Sequence, residues 1–101
     1  MIEINYSKKD DQICMIESKG HANYDEQGKD IVCSAVSAII VGCFNALLDE
    51  EALDLTVEKG YAKCVVKDEI SEHDQNVLDT ILIQLMTIER SYPKFVKILE
   101  K

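Results

Sequence analysis

The feature that most restricts the fold is a long stretch without a charged side chain, from Ile31 to Leu48. Asp30 precedes it and suits an N-terminal cap, because its carboxylate can accept the free N–H groups of a first helical turn. The pattern predicts a helix from Asp30 to about Leu48. A helix that is apolar all round is buried on more than one side. We therefore expect it to lie between a sheet and either a second helix or a second copy of the chain.

The same stretch barely reaches the length of a membrane span, and its flanks argue against one. Ser34, Ser37 and Asn45 interrupt it, and the acidic run 49–51 follows with little basic flanking to orient it. The start of the chain has neither the basic nor the apolar segment of a signal peptide. None of the four cysteines forms a C-x-x-C pair. We therefore expect a cytoplasmic protein with reduced thiols and no zinc motif.

Alternating apolar and polar residues predict the strands around this helix. The predicted strands are 2–7, 12–18, 53–59, 61–67 and a short final one at Phe95–Leu99. Ser71 with Asp74 resembles a capping box that begins a second helix, which ends at Tyr92-Pro93. With 101 residues, 47% of them hydrophobic, the chain can form one core. The order ββαββα plus a terminal strand predicts a single α+β domain over 1–101, with two layers and two helices on one face of a largely antiparallel sheet.

The charge balance restricts the partners. The chain has 11 basic and 19 acidic residues, so its formal net charge is −8. Because an acidic surface repels phosphate backbones and no basic cluster is present, we do not expect direct nucleic-acid binding. The charge suits a basic protein partner, although a solvated, soluble surface explains it as well. The apolar outer side of the first helix predicts a homodimer interface.

The residues that could carry chemistry lie around the start of the first helix. If Asp30 caps this helix, Cys33 is in the first turn, where the helix dipole and the unpaired N–H groups favour a thiolate. The same N–H groups could hold the oxyanion of a tetrahedral intermediate. His21 lies in the longest predicted loop, Lys19 to Lys29, and this loop can bring it to Cys33. The pair would form the activated nucleophile of a cysteine hydrolase. The other histidine, His73, begins the second helix, where we expect a surface position.

Each of these residues also has an explanation without catalysis. A cysteine in an apolar helix is usually an inert small hydrophobe, and the other three cysteines fit that description. Asp30 either only caps the helix or also orients His21. Ser37, one turn after Cys33, is either a small packing residue or a hydroxyl that contacts the site. Gly20 permits either an unusual backbone conformation or a close approach of substrate.

Two segments resemble the signature of the ribosomal-processing cysteine proteases, the Prp family. They are Gly20-His21-Ala22 and the stretch from Gly28 to Ala38, which reads G-x-D-I-V-C-x-A-x-S-A. The length, the order of elements and the segment from Ile88 to Pro93 match as well. The family usually has alanine directly after the cysteine, where this chain has Ser34.

The resemblance implies a cysteine protease that removes the N-terminal extension of a bacterial large-subunit ribosomal protein, number twenty-seven. It implies Cys33 as the nucleophile and His21 as the general base and acid, with Gly20, Asp30 and Ser37 as supporting residues. It also implies a homodimer, a flexible loop over the site, and neither metal nor cofactor. Two other functions stay open: a non-catalytic ribosome-assembly factor that binds a basic ribosomal protein, and a structural dimer without a site.

A loop with glycine at both ends that carries the base can close over bound peptide and assemble the site only then. We therefore expect His21 to lie away from Cys33 in the unliganded chain.

Overall fold

In the described residues, five strands and two helices follow one another in the order ββαββαβ, as the sequence predicts. They are β1 (Ile2–Lys9), β2 (Gln12–Lys19), α1 (Ile31–Phe44), β3 (Leu53–Glu58), β4 (Tyr61–Val66), α2 (Glu72–Ser91) and β5 (Val96–Glu100). A single 3₁₀ turn, Glu50–Ala52, lies between α1 and β3. The structure, a computed structural model, describes residues 1–26 and 29–101. Gly28, which lies near the end of the predicted loop from Lys19 to Lys29, is outside the described residues.

The strands form one sheet in the order β3-β4-β2-β1-β5. Turn chemistry explains the two hairpins: Asp10 and Asp11 both have positive φ angles, 52° and 65°, as does Gly60 in the β3–β4 turn, at 73°. The hairpins pair with each other through β2 and β4, and these strands are antiparallel. β5 is parallel to β1 because α2 crosses over the sheet before the chain returns. The predicted α+β class with a largely antiparallel sheet is confirmed.

One face of the sheet packs against both helices and forms the core. Its fully buried side chains include Ile4, Ile16, Val32, Leu78, Ile81 and Leu85 from β1, β2, α1 and α2. The helices do not cover the edge strand β3, so its Leu55 and Val57 are 41% and 52% exposed. The outer side of α1 is exposed as well, with Ile31 at 55% and Val41 at 38%. Within one chain, α1 is therefore buried on one side only.

The first helix ends at Phe44, so the predicted end near Leu48 is wrong. Asn45 caps the helix, and the N–H groups of Ala46 and Leu47 turn back to Cys43 and Phe44. The next two N–H groups donate to the carboxylate of Asp74 in α2 instead of continuing the helix. No helix in the described part of the chain is both long and apolar enough to cross a membrane.

Asp74 is fully buried at the start of α2 and connects three segments. Its carboxylate accepts the N–H of Leu48 at 3.0 Å and that of Asp49 at 2.8 Å, and lies 2.8 Å from Nδ1 of His73. The side chain of His73 is 52% exposed, as expected for a surface histidine. Burial acts to raise the pKa of Asp74, but the hydrogen bonds from His73 and the two N–H groups outweigh it and hold this pKa below its usual range.

We expect Asp74→Ala to lower the free energy of unfolding by about 2–4 kcal/mol at neutral pH, because it removes the acceptor of the Leu48 and Asp49 N–H groups and empties a buried site. Since folding lowers the pKa, the carboxylate contributes fully above its unfolded-state pKa and loses its contribution as pH falls through its folded-state pKa. Urea unfolding, measured from neutral pH down to about pH 2, gives the free energy of unfolding of both proteins. The difference between wild type and variant should become smaller as the pH falls. Asp79→Ala, at an exposed position of the same helix, is the control. An equal loss of stability in both variants would contradict the role of Asp74.

Candidate active site

The carboxylate of Asp30 joins the start of α1 to the loop before it. Its Oδ1 accepts the N–H groups of Val32 and Cys33, both at 3.0 Å, which is the predicted N-terminal cap. Its Oδ2 accepts the N–H of Tyr24 at 2.9 Å and that of Asp25 at 3.4 Å. One buried side chain therefore fixes the first turn of the helix and the loop at the same time.

The same contacts keep Asp30 ionised. Burial acts to raise its pKa, but the N–H donors from Cys33, Tyr24 and Asp25 outweigh burial and hold the pKa below its usual range. Four main-chain N–H groups donate to the carboxylate, the side chain of Cys33 adds a hydrogen bond that also acts to lower the pKa, and none of the described contacts comes from His21. The geometry gives Asp30 the capping role, and an orienting role toward His21 stays a prediction.

Cys33 is half-buried in the first turn of α1. Its Sγ accepts the N–H of Ala22 at 3.2 Å, so the sulfur lies directly against the loop segment that follows β2. A main-chain N–H that points at the sulfur is a contact that stabilises a thiolate. The predicted oxyanion donors need a correction, because the N–H groups of Val32 and Cys33 are already bonded to Asp30. The N–H of Ala22 is the described donor beside the sulfur.

His21 is exposed and packs on the β3–β4 turn. A Cβ atom built on Gly60 would lie 2.8 Å from Nε2 of His21 and 3.1 Å from Cε1. His21 and Cys33 line the same cavity. No hydrogen bond joins the imidazole to the thiol in the described residues, so the predicted pairing of the two side chains stays a prediction.

Gly20 has a φ of 95°, a left-handed conformation that side chains rarely adopt. A Cβ at this position would lie 2.7 Å from the carbonyl oxygen of Met1. The N–H of Gly20 donates to the carbonyl of Gly60 at 2.9 Å, which ties the end of β2 to the β3–β4 turn. Of the two explanations given for Gly20, the unusual backbone conformation is present.

These elements surround a cavity of about 550 Å³. The loop contributes His21, α1 contributes Cys33 and Ser37, and the β3–β4 hairpin contributes Val57 and Tyr61. Ser37 is exposed and lines this cavity, so it is not a buried packing residue. The structure therefore brings all five predicted site residues, Gly20, His21, Asp30, Cys33 and Ser37, to one cavity.

Sequence reasoning missed two contributors to this site. Gly60 lies between the two predicted strands 53–59 and 61–67, and its partner His21 lies far away in the sequence. Tyr24 packs edge-on against Tyr92 and Phe95, with ring centroids 5.6 and 5.2 Å apart, and so fixes the loop to the end of α2. An aromatic residue in a polar loop is the signal that could have identified Tyr24.

Comparison with known proteins agrees with this arrangement. The family model described as cysteine protease Prp matches residues 1–97. The chain belongs to the Prp family of cysteine proteases. The ribosomal processing cysteine protease Prp of Mycoplasma genitalium is 35% identical over 100% of this chain and 97% of its own length. The Prp of Bacillus subtilis is 32% identical over 91% of this chain and 90% of its own length.

A solved structure of an essential ribosomal processing protease Prp from S. aureus, with a covalently linked product peptide, superposes with a TM-score of 0.91. It is 30% identical, and all of both chains are covered. The structure of the S. aureus Prp with a substrate peptide gives a TM-score of 0.84 at 27% identity. The family predicted from the two sequence motifs is confirmed, and with it the protein class of cysteine protease.

Proposed function

We propose that this chain is the endopeptidase that removes the N-terminal extension of the host's large-subunit ribosomal protein number twenty-seven. The observation that carries the proposal is the position of Cys33, a thiol in the first turn of α1 that accepts a main-chain N–H and opens onto a cavity shared with His21. The Prp relatives are named as ribosomal processing proteases, and the S. aureus enzyme has been solved with substrate and product peptides.

In the proposed reaction His21 first takes the proton of the Cys33 thiol, and the thiolate then attacks the scissile carbonyl carbon. The N–H of Ala22, now 3.2 Å from the sulfur, is positioned to donate to the oxyanion that forms beside it. As the intermediate collapses, the C–N bond breaks and His21 protonates the leaving amine. His21 then removes a proton from water, and the water oxygen attacks the thioester carbon. The C–S bond breaks, which releases the extension with a new carboxylate and regenerates the Cys33 thiolate.

The supporting residues hold the main chain of this site in place. Asp30 fixes the first turn of α1 and the loop together, and Gly20 permits the backbone turn directly before His21. Ser37 presents its hydroxyl to the same cavity one turn after Cys33, where it can contact the substrate or His21. No step of the reaction requires a metal or a cofactor.

The proposal extends to the partners and the compartment. A net charge of −8 complements a basic ribosomal protein, and such a substrate is available in the cytoplasm.

The exposed apolar side of α1, with Ile31 and Val41, supports a homodimer through this helix. Light scattering at micromolar concentration should give twice the mass of one chain.

The proposal is tested by incubating the purified chain with the host's precursor protein, N-terminal extension included. Mass spectrometry should find a single cut at the end of the extension, and prior alkylation of the enzyme with iodoacetamide should prevent it. The mature protein without the extension is the control substrate and should stay intact. Tight binding of the precursor without cleavage would overturn the protease proposal in favour of a non-catalytic assembly factor.

A further inference from the structure

The β3–β4 turn carries its only glycine where the imidazole of His21 packs. The position that a Cβ of Gly60 would occupy lies 2.8 Å from Nε2, 3.1 Å from Cε1 and 3.7 Å from Cδ2 of His21. Contacts under 3.0 Å are essentially never made by real Cβ atoms. The imidazole can therefore occupy this place only because residue 60 has no side chain.

The turn is held against the end of β2, so it cannot easily retreat from the ring. The N–H of Gly20, directly before His21, donates to the carbonyl of Gly60 at 2.9 Å. In the part of the chain that the structure describes, no hydrogen bond fixes the imidazole itself. Packing on Gly60 is the described contact that sets its position.

We propose that Gly60 is a positioning residue for His21, and that the packing of the imidazole on it is a resting position that holds the base off Cys33 in the free enzyme. The inference rests on the proposed function for its catalytic meaning. When peptide enters the cavity, His21 leaves Gly60 and pairs with the sulfur. A side chain at position 60 would occupy the resting position and displace the imidazole from Gly60 within the cavity that Cys33 also lines.

The resting position predicts the behaviour of two variants without substrate. Gly60→Ala and Gly60→Asn both add a Cβ, but asparagine tolerates the φ of 73° much better than alanine does. In both, we expect iodoacetamide to alkylate Cys33 about tenfold faster at mildly acidic pH, because an imidazole closer to the thiol favours the thiolate–imidazolium pair. Adding His21→Ala to either variant should abolish the gain.

Asp11→Ala is the matched control, because Asp11 has a comparable φ of 65° in the other hairpin turn and does not line the cavity. It adds turn strain without touching His21, and its alkylation rate should equal that of wild type. In wild type, NMR should detect a contact between the imidazole protons of His21 and the Cα protons of Gly60. Absence of this contact, or wild-type alkylation rates in both folded Gly60 variants, overturns the inference.

The outcomes separate this inference from the proposed function. If the Gly60 variants are alkylated faster and wild type does not cleave the precursor, the resting position is supported and the proposed substrate is ruled out. Cleavage by wild type with unchanged alkylation in the variants supports the protease and removes the resting position.

Discussion

Replacing Cys33 with alanine is expected to abolish cleavage of the ribosomal protein precursor, with a fall in kcat of about 10⁴-fold or more. The substitution removes the sulfur that attacks the carbonyl, and the neighbouring hydroxyl of Ser34 is a far weaker nucleophile than a thiolate. The helix cap survives, because Asp30 accepts the main-chain N–H of residue 33, which alanine retains. The variant should therefore fold and still bind the precursor. Initial cleavage rates and a binding assay on the same preparation measure both properties.

Cys64→Ala is the matched control for this experiment. Cys64 lies in the core at 1% exposure, and burial, with a contribution from the charge of Asp74, raises the pKa of its thiol to about 11. It stays protonated at neutral pH and cannot act as the nucleophile. Cys64→Ala should reduce stability and retain cleavage. Residual cleavage by folded Cys33→Ala, or complete loss in folded Cys64→Ala, would refute the assignment of the nucleophile.

The parts of the fold that the sequence predicts correctly depend on local chemistry. The alternation of apolar residues gives the strands, and Asp30 and Ser71 cap the helices at the predicted positions because capping needs only neighbouring N–H groups. The end of α1 is different. It depends on the carboxylate of Asp74, which accepts a hydrogen bond from the N–H of Leu48, 26 positions away in the sequence. A local sequence pattern cannot predict such a contact. The parallel pairing of β5 with β1 likewise depends on contacts between residues far apart in the sequence.

The candidate site likewise has some features that depend on the local sequence and others that depend on the tertiary fold. Cys33 in the first helical turn and His21 in the preceding loop can be proposed as site residues from the sequence, because a thiol at a helix start has a recognisable electrostatic environment. The engagement of the first-turn N–H groups by Asp30 could have been anticipated, since a good cap consumes the donors that an oxyanion would need. The role of Gly60 could not have been anticipated, because it depends on the tertiary fold, which places the β3–β4 turn beside His21.

Replacing His21 with alanine is expected to lower kcat for the precursor by about 10³-fold, because the leaving amine and the attacking water lose their proton donor and acceptor. The contacts of Cys33 do not depend on the imidazole, since its sulfur accepts the N–H of Ala22 and its own N–H donates to Asp30. The residual rate should rise steadily toward alkaline pH, as the thiol then loses its proton to solvent alone. A pH profile of kcat in wild type and variant shows this change in shape, which a purely structural defect would not produce.

His73→Ala provides the control, because His73 is the only other histidine and its side chain is 52% exposed at the start of α2. It bonds Asp74, so its loss should lower stability while the pH profile of cleavage keeps the wild-type shape. Because His21 is exposed at the wall of an open cavity of about 550 Å³, added imidazole should reach the space left in His21→Ala and restore part of the rate. Equal kcat values and equal pH profiles for the two histidine variants would show that the base is not His21. In that case the exposed imidazole on Gly60 would have no part in the reaction, and Cys33 would have to act with another proton acceptor.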